Sequence, residues 1–301
     1  MSWYPSQPNL SCIKHNEAGF PFENLPCLYS ETIGKTYHSF EIDYDPVFVR
    51  DKMINNAWIP LVAITLYAIG IVGGKAYFAN RPAWNWRKGM AMWNLGLSIF
   101  SGIGFLRTFP QLVHNLIHYT ATENLCHDPE SQYGSGATGL WVQMFILSKI
   151  PELLDTLFIV VHKKPLIFLH WYHHISVLLY CWHAYTTKAP SGIFFATMNY
   201  AVHAIMYFYY YLMAVKRKPK WFNSIWITVA QISQMILGVI VTIMGFVLAP
   251  KYEKECALKR ENNLAALIMY GSYFLLFLQF FLQRYFKTTP TKGISSSKKK
   301  S

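Results

Sequence analysis

Long apolar runs alternate with short polar connections along this 301-residue chain. Seven runs stand out, over roughly 57–78, 89–110, 139–161, 166–186, 192–214, 222–249 and 264–286. A helix crosses a bilayer with about 20 mostly apolar residues, and each run is of that order. Ile59 to Gly74 and Ile236 to Ala249 carry no charge at all. A large soluble core could bury one or two such helices. Seven in one chain predict an all-α membrane protein with seven transmembrane helices. The pattern divides the chain into a mixed polar N-terminal segment, 1–56, a transmembrane domain, 57–286, and a basic tail, 287–301. The first 50 residues hold no apolar core segment, so no cleavable signal peptide is expected.

Charge sharpens this picture. Only 14% of residues are charged, against about 25% in an average soluble protein. The net charge is +12, from 27 Lys and Arg against 15 Asp and Glu. The basic residues lie in short clusters between apolar runs, which argues against nucleic acid and for lipid headgroups or an anionic substrate. Arg81, Arg87 and Lys88 fall in the first connection, Lys163 and Lys164 in the third, Lys216, Arg217, Lys218 and Lys220 in the fifth. The second connection, Gln111 to Thr138, has neither Lys nor Arg. The positive-inside rule then places the odd connections and the C-terminus in the cytosol, and the N-terminus in the lumen or outside. Lys251, Lys254, Lys259 and Arg260 in the sixth connection oppose that assignment. The tail ends Lys298-Lys299-Lys300-Ser301, which reads either as a dilysine retrieval signal of the endoplasmic reticulum or as a soluble basic tail. Asn9-Leu10-Ser11 is a glycosylation sequon on the expected luminal side.

Five cysteines form no CxxC pair, which removes zinc-ribbon and thioredoxin readings. Cys181 lies inside the fourth run. Cys126 and Cys256 lie in two connections on the expected luminal side, where an oxidising compartment allows either a bridge or two free thiols.

Ionisable groups inside spans are costly and mark a functional interior. The third run contains Lys149, Glu152 and Asp155 at i, i+3, i+6, one side of a continuous helix. They are either a structural ion pair or part of a site. The fourth run opens His170-Trp171-Tyr172-His173-His174, which puts three imidazoles on one face. Such a set can bind metal or act as nucleophile and acid–base. The fifth run holds Asn199 and His203 at i, i+4, followed by Tyr207 and Tyr210, and the sixth holds Thr228, Gln231 and Gln234 on one stripe. Such stripes also serve simply to hold helices together. Traced through the alternating topology, all four polar stripes fall in the cytosolic half of the bilayer. That shared depth points to one site opening to the cytosol.

At these residues the chain resembles a known family. Lys149-x-x-Glu152-x-x-Asp155-Thr156, His170-x-x-His173-His174, Asn199-x-x-x-His203-x-x-Met206-Tyr207-x-Tyr209-Tyr210 and Thr228-x-x-Gln231-x-x-Gln234, in this order, resemble the ELO family of very-long-chain fatty acid elongases. Phe100-Ser101 and Arg107-Thr108 fit as well. The resemblance implies a membrane 3-ketoacyl-CoA synthase of the endoplasmic reticulum, with six of seven helices forming a barrel around a narrow acyl tunnel. It implies condensation of acyl-CoA with malonyl-CoA to 3-ketoacyl-CoA, CO₂ and CoA, with these two substrates and no further cofactor or metal.

By that resemblance His173 is the nucleophile that forms an acyl-imidazole. His174, His203 and Asn199 handle protons or the developing oxyanion, with His170 in the same cluster. Glu152 and Asp155 orient imidazoles or pair with Lys149. Lys149, Lys163, Lys164, Tyr210, Arg217, Lys218, Gln231, Gln234 and Arg284 are the candidates for holding the polyanionic substrates. Relatives carry cysteines at loop positions comparable to Cys126 and Cys256, so a bridge between them is expected. Membrane lipid is an expected partner, as are a homodimer and the other enzymes of the elongation cycle. His-Trp-Tyr-His-His resembles members acting on saturated and monounsaturated chains. Trp171 and Tyr172 would narrow the tunnel mouth if they faced it.

Three rivals remain at this point. A membrane di-iron desaturase or hydroxylase needs about eight imidazoles, and the spans here offer His170, His173, His174, His183 and His203. A lipid transporter would also carry polar groups near the midplane. A seven-helix receptor fits a cytosol-facing cluster poorly.

Overall fold

The computed structural model describes residues 10–249 and 256–286. Asn9, Lys251, Lys254 and the 287–301 tail, with its lysines, lie outside the described residues.

Every one of the seven apolar runs is helical. The elements in chain order are β1 (Ile13–His15), β2 (Pro21–Glu23), α1 (Leu25–Leu28), α2 (Ser39–Ile42), α3 (Val47–Asn55), α4 (Ile59–Phe78), α5 (Arg87–His118), α6 (Ala121–Cys126) and α7 (Pro129–Gln132). There follow α8 (Gly136–Ser148), α9 (Asp155–Val161), α10 (Phe168–Thr186), α11 (Gly192–Ala214), α12 (Ser224–Leu248) and α13 (Arg260–Tyr285). Four of these, α4, α5, α12 and α13, are long and apolar enough to cross a membrane by length and composition. α8 is too short, and α10 and α11 carry the histidines and tyrosines that lower their hydropathy.

The third run departs from the sequence expectation. It is not one helix. A 3-10 turn over Pro151–Leu154 separates α8 from α9. Pro151 has no N–H to donate and its ring crowds the preceding turn, so the α-helical ladder stops there. Lys149, Glu152 and Asp155 therefore do not share one continuous helical face. The second run also differs. α5 continues to His118, and its last turns bury Gln111, Leu112, His114 and Asn115, with His114 against Tyr29 and Glu23 of the N-terminal segment. Most of the stretch taken as the second connection is thus helical.

The helices contact one another in a cycle: α8 with α5, α5 with α11, α11 with α12, α12 with α13, α13 with α10, and α10 with α8. α4 stands outside this cycle, against α9 and α10. α5 and α11 approach so closely that the Tyr200 ring occupies the place where a Cβ on Gly104 would project. Tyr200 in turn donates to the Trp141 carbonyl at 2.8 Å.

Loop contacts define two ends. At one, the Trp84 N–H donates to the Val161 carbonyl at 2.9 Å, and Arg87 donates to the carbonyls of Ala214 and Met213. The first, third and fifth connections therefore meet, with their basic residues. At the other end lie the remaining connections and the N-terminal segment. The Cys126–Cys256 disulfide expected from the relatives is present there. A second disulfide, Cys12–Cys27, staples the N-terminal segment and was not anticipated. The signal for it was available, since a compartment that oxidises Cys126 and Cys256 also oxidises a second pair on the same side.

The N-terminal segment is a folded cap rather than a polar leader. β1 and β2 pair antiparallel, with Ile13 opposite Glu23. The Glu41 carboxylate, 1% exposed, accepts from Arg107 at 2.8 Å and from the Trp141 indole at 2.7 Å. Burial alone would raise the Glu41 carboxyl, but Arg107, the His38 N–H and Trp141 together hold it below the usual glutamate range. Arg50 pairs with Glu130, which also receives Lys188 at 2.9 Å and Asn16 at 3.2 Å. Burial pushes the Lys188 ammonium down from its ordinary value, and Asp128 offsets part of that.

Candidate active site

The site begins with a tight reversal. Lys163 adopts φ 52° just beyond α9, its N–H donates to the Val160 carbonyl, and Pro165 follows. A left-handed residue and then a proline end a helix efficiently. The chain turns back, and the start of α10 lies beside α9. Thr156 of α9 thus meets His170 of α10, Oγ1 to Nε2, at 2.9 Å.

The three α10 histidines cluster as their spacing predicts. The ring of His170 lies 4.5 Å from that of His174, and His173 lies 5.5 Å from His174. His173 also packs against Tyr273 of α13 at 5.0 Å. The Tyr273 hydroxyl, 2.6 Å from Ser176 Oγ, donates to the His173 carbonyl at 3.3 Å. These contacts fix the α10 backbone at His173. Neither ring nitrogen of His173 makes a hydrogen bond among the described residues.

Beside the histidines sits a buried charge pair. Lys149, 2% exposed, donates to both carboxylate oxygens of Glu152 at 2.8 and 3.0 Å and to Asn199 Oδ1 at 3.2 Å. Ser148 adds a 2.7 Å bond to Glu152. His203 is buried, with Nδ1 3.9 Å from Glu152 Oε2. That distance is a charge contact and not a hydrogen bond. Residues from α8, the 3-10 turn and α11 are therefore brought together.

Asp155 behaves differently from expectation. It pairs with neither Lys149 nor an imidazole. Its carboxylate accepts from the Trp93 indole of α5 and the Tyr207 hydroxyl of α11, each at 2.6 Å. The physical reason is that Trp93 of α5 and Tyr207 of α11 already occupy both of its oxygens. Tyr207 then stands edge-on to His203, ring centroids 5.3 Å apart.

The sixth-run stripe does not join the cluster by hydrogen bonds. Gln231 donates to the Met206 sulfur at 3.3 Å, Thr228 bonds within its own helix, and Gln234 is buried. Tyr210 is 46% exposed. Among the expected substrate-binding cations, Lys163 donates to the carbonyls of Ala79 and Arg81, and Lys218 to those of Pro219 and Phe222. Lys164, Arg217 and Arg284 are exposed. All five lie toward the end where the odd connections meet. Trp171 packs with Tyr67, Leu153 and Leu178 against α4, while Tyr172 reaches α13, its hydroxyl 3.0 Å from Ser272 Oγ. Trp171 therefore does not stand at a tunnel mouth. No group of three or more His, Cys, Asp or Glu among the described residues is arranged to hold a metal ion.

Three participants escaped the sequence reading. Tyr67, whose hydroxyl lies 2.8 Å from Thr156 Oγ1, and Trp93 are lone polar aromatics in otherwise apolar stretches, and nothing in the sequence names their partners. Ser148 stands beside the motif but reads as a helix-packing residue.

These features define a helical, multi-pass membrane protein with a buried polar site shared by α8–α11. The profile described as "ELO: GNS1/SUR4 family" matches residues 52–293, and the chain belongs to that family. It is 39% identical over 255 residues to the very long chain fatty acid elongase 6 of Drosophila melanogaster, covering 82% of this chain and 80% of that protein. Fatty acid elongase 3 of Trypanosoma brucei brucei is 36% identical over 280 residues, covering 84% and 92%. The human very long chain fatty acid elongase 6 is 39% identical over 220 residues, covering 73% and 82%.

Proposed function

We propose that this chain is the condensing enzyme of fatty acid elongation, a very-long-chain 3-oxoacyl-CoA synthase that joins acyl-CoA to malonyl-CoA. The observation that carries this reading is the meeting of the α10 histidines with the Lys149–Glu152–Asn199 network and His203, in a chain of the ELO family. In the first step His173 attacks the thioester, forming an N–acyl bond and releasing CoA as the thiolate leaving group. Its ring nitrogens, which make no hydrogen bond among the described residues, suit that role. In the second, malonyl-CoA loses CO₂, and the resulting enolate attacks the acyl carbon and restores the imidazole. His174 and His203 move protons, Asn199 and Lys149 supply positive ends of dipoles or charge beside the developing oxyanion, and Glu152 keeps that ammonium in place.

The cycle of six helices is read as the wall of an acyl tunnel. Lys163, Lys164, Arg217, Lys218 and Arg284 stand at its basic end as contacts for the CoA phosphates. Tyr210, Gln231 and Gln234 line the approach. The basic end faces the cytosol by the positive-inside rule, and both disulfides at the opposite end support a luminal N-terminus in the endoplasmic reticulum. The likeness of His-Trp-Tyr-His-His to members acting on saturated and monounsaturated chains supports such acyl chains as substrates.

Purified protein incubated with labelled malonyl-CoA and a panel of acyl-CoAs is expected to yield 3-ketoacyl-CoA, faster on saturated than on equally long polyunsaturated chains. Acyl-CoA alone is expected to add one acyl mass to the peptide containing His173. His173→Ala is expected to abolish both signals while the protein still accumulates. Condensation at a near-normal rate by that variant would remove the covalent role.

A further inference from the structure

We propose that Tyr67 and Thr156 are positioning residues that fix the tautomer of His170, so that α4, the helix outside the cycle, sets the proton arrangement of the histidine cluster. The inference rests on reading that cluster as the acyl-transfer site. Thr156 Oγ1 lies 2.8 Å from the Tyr67 hydroxyl and 2.9 Å from His170 Nε2. Thr156 is 2% exposed and Tyr67 8%. The Tyr67 hydroxyl has no other hydrogen-bond partner among the described residues.

A threonine hydroxyl has one proton to give. Three arrangements can be written. If His170 Nε2–H donated to Thr156 and Thr156 to Tyr67, the Tyr67 proton would be buried without an acceptor. If both neighbours donated to Thr156, the Thr156 proton would be stranded instead. Only the order Tyr67 to Thr156 to His170 gives both buried hydroxyl protons an acceptor; the proton it leaves on Nδ1 belongs to a half-buried ring and has no hydrogen-bond partner among the described residues. Burying an unsatisfied donor disfavours the other two by roughly 5- to 150-fold.

His170 is thereby a neutral imidazole with Nε2 occupied as acceptor and its proton on Nδ1. An imidazole whose basic nitrogen already accepts a hydrogen bond is a poor nucleophile. His170 therefore serves as a fixed N–H donor beside His174, and the nucleophilic role falls to His173, whose nitrogens make no hydrogen bond among the described residues. α4 gains a function through Tyr67 that a lipid-facing anchor would not need.

The test uses full-length protein labelled with ¹⁵N-histidine, read by NMR at rest, with His170 assigned from its loss in His170→Gln. The wild type is expected to show protonated Nδ1 and unprotonated Nε2 at His170. Thr156→Val is expected to shift that signal toward the Nε2–H form and to lower kcat about tenfold with KM little changed. Thr156→Ser, which keeps the hydroxyl, should restore both. Should Thr156→Val fail to fold, Tyr67→Phe/Thr156→Val removes both hydroxyls without leaving either unpaired and should show the same tautomer shift. Protonated Nε2 in the wild type, or wild-type tautomer and turnover in both valine variants, overturns the proposal. A wild-type chain that condenses nothing leaves the resting spectrum intact and overturns the reaction instead.

Discussion

The Lys149 ammonium and the Glu152 carboxylate form a two-pronged contact, 2.8 and 3.0 Å, across the break in the third apolar run. Both residues are almost fully buried. Two charges removed from water attract strongly but also lose hydration, so the pair is costly to break and not necessarily stabilising as a whole. Lys149→Met leaves Glu152 with only the Ser148 hydroxyl and is expected to destabilise the fold by about 3–5 kcal/mol. Lys149→Met/Glu152→Leu should recover much of that loss while remaining inactive. Thermal unfolding in detergent, alongside an elongation assay, measures both. A double variant less stable than the single one would contradict the account.

Asp155 joins three helices through one carboxylate, taking Trp93 on one oxygen and Tyr207 on the other. Removing either donor leaves the carboxylate one partner. Hydrogen bonds to a charged group contribute about 1.5–3 kcal/mol each. Tyr207→Phe and Trp93→Phe are each expected to lose that much. The double variant should lose more than the sum, because a buried carboxylate is then left with no donor at all. A double-mutant cycle on unfolding free energy reads the coupling directly, and simple additivity would show that the two bonds are independent.

Much of this was visible in the sequence, for identifiable reasons. The seven apolar runs are long, and long periodic segments survive the loss of local detail. The histidines of α10 cluster because i, i+3, i+4 spacing forces them onto one face whatever the helix packs against. The partners of Asp155 were not visible, because they stand on α5 and α11, 62 and 52 positions away, and depend on how those helices pack against α9. A proline in a predicted span signals a break but not the direction of the turn. The Trp93–Asp155 and Tyr67–Thr156 bonds join residues 62 and 89 positions apart, and a lone tyrosine or tryptophan in an apolar helix names no partner. The N-terminal cap was illegible for the opposite reason. Its elements are three to nine residues long, and its order depends on Cys12–Cys27 and on contacts with distant loops.

The two disulfides act on different scales. Cys126–Cys256 closes a loop across a sequence separation of 130, Cys12–Cys27 one of 15. On the chain-entropy account, closing the longer loop restricts the unfolded chain more. Cys126→Ser/Cys256→Ser is therefore expected to cost about 4–5 kcal/mol and Cys12→Ser/Cys27→Ser about 3 kcal/mol. Mass analysis after alkylation without reductant should find all four cysteines unmodified, and Cys181 should react only on unfolding because it is buried. Alkylation of Cys126 or Cys256 in the folded, non-reduced protein would refute the bridge.

Acid should loosen the N-terminal cap through Glu41. Arg107, the His38 N–H and Trp141 outweigh the burial penalty and hold its carboxyl below the ordinary glutamate value of 4.5. A group whose folded pKa is depressed binds its proton more readily when the chain is unfolded. Its contribution to stability is complete above pH 4.5 and is lost as pH falls through the lower folded value. Glu41→Gln keeps the shape but not the charge, so it removes that contribution at every pH. At pH 7 the variant is expected to unfold at a lower temperature than the wild type. As the buffer is taken below pH 4.5 the two curves should converge, because the wild-type carboxyl becomes neutral as well. Asp128, raised chiefly by burial, titrates with the opposite sign and is common to both proteins, so it cancels in the difference. A gap between wild type and variant that stayed constant down to pH 3 would show that Glu41 contributes through packing and not through its charge.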